Sequence, residues 1–182
     1  MTLQGRTVLA TVTTLMIVAA SLVGIETAEA KTGLPAGSVI EVDEATVDAV
    51  VATFERAEQA IKAHDLETLM AVYSPQYNYH GLKKDDIRKV WKDLFDEYEE
   101  IASTHLFTKI AKVGSGSNAV LEVTCSGNLR ALSKTSGLYV PIDSWHEEVH
   151  YLVFEEGGWR IRGNVGESPH LLPFGTALHP LF

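Results

Sequence analysis

The stretch Val47–Phe95, VDAVVATFERAEQAIKAHDLETLMAVYSPQYNYHGLKKDDIRKVWKDLF, decides how this chain folds. Val47, Val50, Val51, Phe54, Ala57 and Ile61 recur at three- and four-residue steps, so they share one helical face. Glu55, Arg56, Glu58, Gln59 and Lys62 fall on the other side, in water. Asp43 is placed to cap this helix by accepting from the free amides of its first turn, and Glu44 sits where the helix dipole favours an acid. Asp65 caps a second, shorter helix carrying Leu66, Leu69, Met70 and Tyr73, which Pro75 ends. Tyr77 and Tyr79 alternate with Asn78 and His80, the pattern of a short strand. Beyond Gly81, Ile87, Val90, Trp91, Leu94 and Tyr98 make a third amphipathic helix face. Three apolar helix faces require a sheet to cover them.

That sheet follows, because after Tyr98 the period changes from 3.6 to 2. Thr104–Val113 reads as a strand, Gly114-Ser115-Gly116-Ser117 as a turn, and Asn118–Ser133 as a strand with Leu121, Val123 and Cys125 on its inward face. Gly127 marks a bulge that would bend the sheet. Residues 134–141 read as a loop, Ile142–Glu156 as a long strand, Gly157-Gly158 as a hairpin turn and Trp159–Val165 as the return strand. In the long strand Trp145, Val149, Tyr151 and Val153 are expected on one face, with Leu152 and Phe154 on the other. The fold class is α+β: a curved, mostly antiparallel sheet wrapped around three N-terminal helices.

The order of these elements, the segment AIKAHDLETLMAVYSPQYNYHG and the closing EEGGWRIRGNVGE resemble the nuclear transport factor 2-like superfamily, closest to its SnoaL-like and ketosteroid isomerase-like branches. The resemblance spans about Val42 to Glu167 and points to a secreted bacterial-type member. It implies a cone-shaped, cystatin-like α+β barrel with a pocket at the wide end. Such folds serve isomerases, dehydratases, cyclases, assembly domains and binders, so the fold alone assigns no activity. Pairing through the outer sheet face is common among its members, which makes a homodimer the expected state.

The ends of the chain carry other signals. Arg6, the charge-free run Thr7–Ile25 and Ala28-Glu29-Ala30 form an export signal over residues 1–30, with cleavage before Lys31 and a periplasmic or secreted product. No stable membrane association is expected after cleavage, although the uncharged run is near the length of an uncleaved anchor. Residues 31–41, which include KTGLPAGS, read as a linker, and the domain proper covers 42–167. The tail, residues 168–182, is apolar and is expected to pack on the domain or on a dimer partner. The 182 residues suit one domain plus a leader, and a hydrophobic content of 46% supplies a core. A formal net charge of −9 argues against nucleic-acid binding, which needs a basic surface. Cys125 is the sole cysteine, so no intramolecular disulfide forms, and its inward position makes it a buried, inert thiol.

Two constellations bear on chemistry. His146-Glu147-Glu148-Val149-His150 matches the H-E-x-x-H pattern of zinc proteases, which needs a helix to bring both histidines to one metal. The surrounding Trp, Val, Tyr and Phe alternate as in a strand, where a rise of roughly 3.3 Å per residue separates the histidines by about 13 Å. No metal and no cofactor are therefore expected, and His146, Glu148 and His150 would share one polar strand face. The second constellation follows from the resemblance, in which a carboxylate or histidine moves protons beside a tyrosine in an apolar cavity. The ligand-pocket candidates are Tyr79, His105, Trp145 and Glu147, with Trp91 and Phe95 as the apolar wall and Asp143 nearby. None matches a catalytic motif residue by residue, so catalytic residues stay unassigned. The expected partner is a small, partly apolar molecule held without turnover. The alternative is a small acid–base enzyme, an isomerase, dehydratase or hydrolase.

Overall fold

The computed structural model describes residues 30–79, 81–115 and 119–163. In chain order its elements are β1 (Lys31–Gly33), β2 (Val39–Glu41), α1 (Glu44–Ala63), α2 (Leu66–Met70), β3 (Asn78–Tyr79), β4 (Leu82–Lys83), α3 (Lys84–Glu97), β5 (Tyr98–Val113), β6 (Val120–Ser133), β7 (Tyr139–Glu155) and β8 (Gly158–Ile161). The architecture is α+β, a curved sheet closed over the N-terminal helices like a cone. Expectations for the signal segment, His80, Gly116–Asn118 and the apolar tail lie outside the described residues.

The helices form where the periodicity places them. Asp43 caps α1 by accepting from the Thr46 amide at 2.7 Å, and Asp65 caps α2 by accepting from the Thr68 amide at 3.0 Å. Val50, Phe54, Ala57 and Ile61 form the buried stripe of α1. His64 ends α1 in the left-handed conformation, at φ 53°. Its ring stacks on Phe95 of α3, with centroids 4.7 Å apart and planes 6° from parallel. A strained C-cap thus doubles as a helix–helix contact. The Lys134 ammonium caps the far end of α3 by donating to the Phe95 and Asp96 carbonyls at 2.9 and 2.7 Å.

The sheet departs from the sequence reading at the ends of its strands. The segment read as a linker contributes β1 and β2, which both pair parallel with β5. Tyr98, read as the last apolar position of α3, is its C-cap and opens β5. Strand β7 starts at Tyr139, inside the expected loop, and β8 ends at Ile161. The long strands β5, β6 and β7 pair antiparallel in sequence order, and β8 closes the far edge. Register shifts interrupt β5–β6 between Phe107 and Lys109, and β6–β7 between Cys125 and Gly127 and between Leu129 and Arg130. Such interruptions increase local twist and bend a sheet around its contents.

The helical layer is stitched to the last strand. Ser74 donates its amide to the Ile161 carbonyl at 2.9 Å, and Ile161 donates back to Val72 at 2.8 Å. Immediately beside this bridge, the buried Trp91 indole N–H donates to the Tyr73 hydroxyl at 2.8 Å. Burial holds the Tyr73 phenol far above its ordinary range, so it stays neutral. Trp91→Phe keeps most of the packing and deletes one donor in a dry environment. Urea unfolding is expected to show a loss of about 1–3 kcal/mol, and an unchanged midpoint would mean the bond contributes nothing.

Candidate functional site

The inner face of the sheet is organised in rows across β5, β6 and β7. One row is His105, Gly127 and Trp145, and the next is Ser103, Leu129 and Asp143. Gly127 is required by its row. A Cβ built there would lie 1.9 Å from the Thr104 carbonyl oxygen and 2.6 Å from Trp145 Cζ2. The indole therefore rests directly on the strand where a side chain is missing. It stands 5.1 Å from the His105 ring, and His105 stands 4.9 Å from Phe54 of α1 (centroid distances). Trp145 Nε1 donates to Cys125 Sγ at 3.3 Å, and that sulfur is 3.6 Å from His105 Nδ1. Burial pushes the Cys125 thiol up to about 12, which removes the thiolate and any nucleophilic role.

Strand β7 carries the feature that sequence periodicity missed. Between the pairs Cys125–Glu148 and Gly127–Trp145, β7 advances three residues while β6 advances two. The extra residue is accommodated at Glu147, which has φ 55°. Its amide donates to Ser126 Oγ at 2.9 Å, and the same oxygen lies 3.2 Å from His146 Nδ1. A one-residue insertion reverses which side chains face inward. Trp145 and His150, five residues apart, are therefore both buried, while His146 is exposed. The expectation that His146, Glu148 and His150 share a face is corrected, as is the grouping of Trp145 with Val149, Tyr151 and Val153. The extended backbone across His146–His150 also separates the two histidines, as the strand reading required. Among the described residues no three His, Cys, Asp or Glu side chains are grouped to hold a metal ion.

The candidate residues fall in four places. His105 and Trp145 sit together on the inner face, against Phe54. Trp91 and Phe95 lie on α3, 5.9 Å apart, with Trp91 turned to Tyr73 and Phe95 stacked on His64. Tyr79 is buried in the β3–β4 hairpin, and Glu147 is exposed on the β7 bulge. Among the described residues a cleft of about 290 Å³, lined by Val42, Lys112, Leu121 and Trp159 among others, opens at the start of α1. None of the six candidates lines it.

One residue near the rows was assigned to solvent from sequence. Glu58 is only partly exposed, and its Oε1 accepts from Thr32 Oγ1 at 2.9 Å and from Ser103 Oγ at 3.3 Å. It lies one turn beyond Phe54 and three residues before Ile61, at the edge of the apolar stripe. Those offsets were the available signal; its charge argued the other way. Desolvation raises its pKa above the ordinary carboxylate value of 4.5, against the two hydroxyl bonds, and the acid Glu55 adds to the rise. Its contribution to stability is therefore fully present below that ordinary value and is lost as pH rises through the elevated one. Relative to Glu58→Gln, the native chain should lose melting temperature between pH 4.5 and neutrality. Parallel curves for the two proteins would contradict this. Gly127→Ala should be more damaging, costing about 3 kcal/mol or more, because the added methyl meets backbone as well as indole. Denaturant unfolding with tryptophan fluorescence reads both the loss and the displaced ring; a midpoint within error of the native one would show that the fit is loose.

Neither family models nor curated proteins give a match to this chain. Solved structures do. A conserved protein from Planctomyces limnophilus is similar over 66% of this chain and 94% of its own, at 12% identity and a TM-score of 0.55. Aln2 from a Streptomyces species is similar over 68% of this chain and 90% of its own, at 12% identity and a TM-score of 0.51. At such identity the similarity concerns the fold alone, a cone-like α+β architecture of the cystatin and nuclear transport factor 2 type.

Proposed function

We propose that this chain binds a small, partly apolar molecule inside the cone, without turning it over. The observation that carries this is the arrangement of the two inner rows. The His105 and Trp145 rings form a sealed aromatic floor against Phe54. On the Ser103–Leu129–Asp143 side of that floor, Asp143 and the neighbouring Glu58 keep partial access to solvent. An apolar floor with a few polar groups at its rim is the usual character of a small-molecule site. The absence of turnover is supported by the dispersal of the expected proton-transfer groups: Tyr79 lies in a hairpin and Glu147 on an exposed bulge. Acid–base catalysis needs such groups within hydrogen-bond reach of one substrate atom.

A second reading, a small acid–base enzyme, draws on one observation. Glu58 is a half-buried carboxyl whose pKa desolvation raises above the ordinary carboxylate value, the direction in which burial tunes a proton-transfer group. It lacks a demonstrated second member, so binding is preferred.

Export and pairing complete the proposal. Cleavage before Lys31 would leave all the described elements intact, since β1 begins at that residue. No helix among the described residues is long and apolar enough to cross a membrane. Phe154, 62% exposed and packed edge-on to Trp159, provides an apolar surface suited to a second copy.

Native mass spectrometry of the purified chain, followed by a melting screen with small aromatic compounds, tests the binding reading. A retained adduct or a stabilising compound is expected, with affinity reduced about tenfold or more in Trp145→Ala. No adduct and no shift across the screen would remove it.

A further inference from the structure

The cleft at the start of α1 plays no part in the reading above, and its walls are open to solvent. It measures about 290 Å³ and lies between the first turn of α1 and the ends of β2, β5, β6 and β8. That is the small end of the roughly 300–1,000 Å³ of small-molecule pockets, room for one ring on a short chain. Its lining is apolar at the base. Leu121 is buried and forms the floor, while Val42 and Trp159 are partly exposed and form the walls. Phe154 meets the Trp159 indole edge-on, with centroids 5.3 Å apart, and braces it from outside the cleft. Water here lies against apolar surface, and a ring that displaces it gains the hydrophobic free energy of burying both.

The rim carries both signs of charge. Lys112 pairs with Leu121, in a row that continues through the buried Leu152 and Ile161. It is therefore an inner-face lysine at the end of an apolar row, and it is exposed. Glu41 ends β2 and Asp43 caps α1, and both line the same cleft. The bond from the Thr46 amide holds the Asp43 carboxyl below its ordinary value, so it is ionised at neutral pH. Among the described residues none of Lys112, Glu41 and Asp43 enters an ion pair, so the rim is not closed on itself. A head group of one sign is attracted on one side of such a rim and repelled on the other. A head group with both signs is matched on each side.

We infer that this cleft is a second binding site, taking a small zwitterion of the α-amino-acid type with an apolar, single-ring side chain. The ring lies between Trp159 and Val42 over Leu121, the carboxylate faces Lys112, and the ammonium faces Glu41 and Asp43. The inference goes beyond the binding reading above and does not rest on it, since none of Phe54, His105 and Trp145 lines the cleft.

The test compares three probes that share one ring, by calorimetry on the purified chain at pH 7 and low salt: phenylalanine, phenethylammonium and 3-phenylpropionate. Phenylalanine is expected to bind about threefold or more tightly than either singly charged probe, the scale that exposed charge pairs supply. Lys112→Glu should abolish that preference and favour phenethylammonium. Trp159→Ala should weaken phenylalanine about tenfold or more, and Trp145→Ala should leave it unchanged. No binding of any probe overturns the inference, as does a singly charged probe that matches phenylalanine on the native chain. A preference for phenylalanine that survives Lys112→Glu overturns it equally. Weakening by Trp145→Ala and not by Trp159→Ala also overturns it, and assigns the binding to the aromatic floor instead. Lys112 is exposed, so Lys112→Glu decides the matter even if Trp159→Ala does not fold by circular dichroism.

Discussion

The contact between the Trp145 indole and the bare backbone at Gly127 sets the geometry of the inner sheet face. It requires two things at once: a residue without a side chain on β6, and the right phase on β7. The phase comes from the extra residue at Glu147, whose left-handed backbone is held by the bond to Ser126. Without that insertion, strict alternation from Trp145 would turn His150 outward. With it, Trp145, His150 and Leu152 all point into the core. The strain at Glu147 and the vacancy at Gly127 are thus two parts of one fit, and the His105–Cys125–Trp145 group depends on both.

The helices do a different job. Their apolar stripes supply one side of the core: Phe54 and Ile61 from α1, Leu69 and Met70 from α2, and Ile87 and Trp91 from α3. Burial of side chains of this size contributes roughly 1.5–3 kcal/mol each before entropy is counted. Orientation comes from fewer, polar contacts. The Trp91–Tyr73 bond, the Ser74–Ile161 bridge and the Lys134 cap on α3 fix where each helix stands against the strands. Apolar area makes the layer stick, and directional bonds decide its register.

Charge is distributed unevenly across this frame. Most acids lie in water and serve solubility. Glu58 is drawn inward by its position on α1 and by two hydroxyls from different strands. It links β1, a strand that sequence reading left as a connector, to the centre of the cone. The polar character of the inner face is therefore carried by a residue from the first helix as well as by the sheet.

By itself, the sequence determined the fold class, the three helices with their Asp43 and Asp65 caps, the run of long strands and the extended state of His146–His150. These follow from local periodicity, capping chemistry and β-propensity, which need no knowledge of distant partners. It also brought His105 and Trp145 forward together. Tertiary structure decided the rest. Only strand pairing shows that Lys31–Gly33 and Val39–Glu41 join β5, because three-residue strands have too little pattern to read. Only register exposes the β7 bulge, since one inserted residue leaves composition unchanged while reversing the faces. And only the meeting of α1 with β1 and β5 draws Glu58 from water, because desolvation belongs to what surrounds a carboxylate and not to the residue itself.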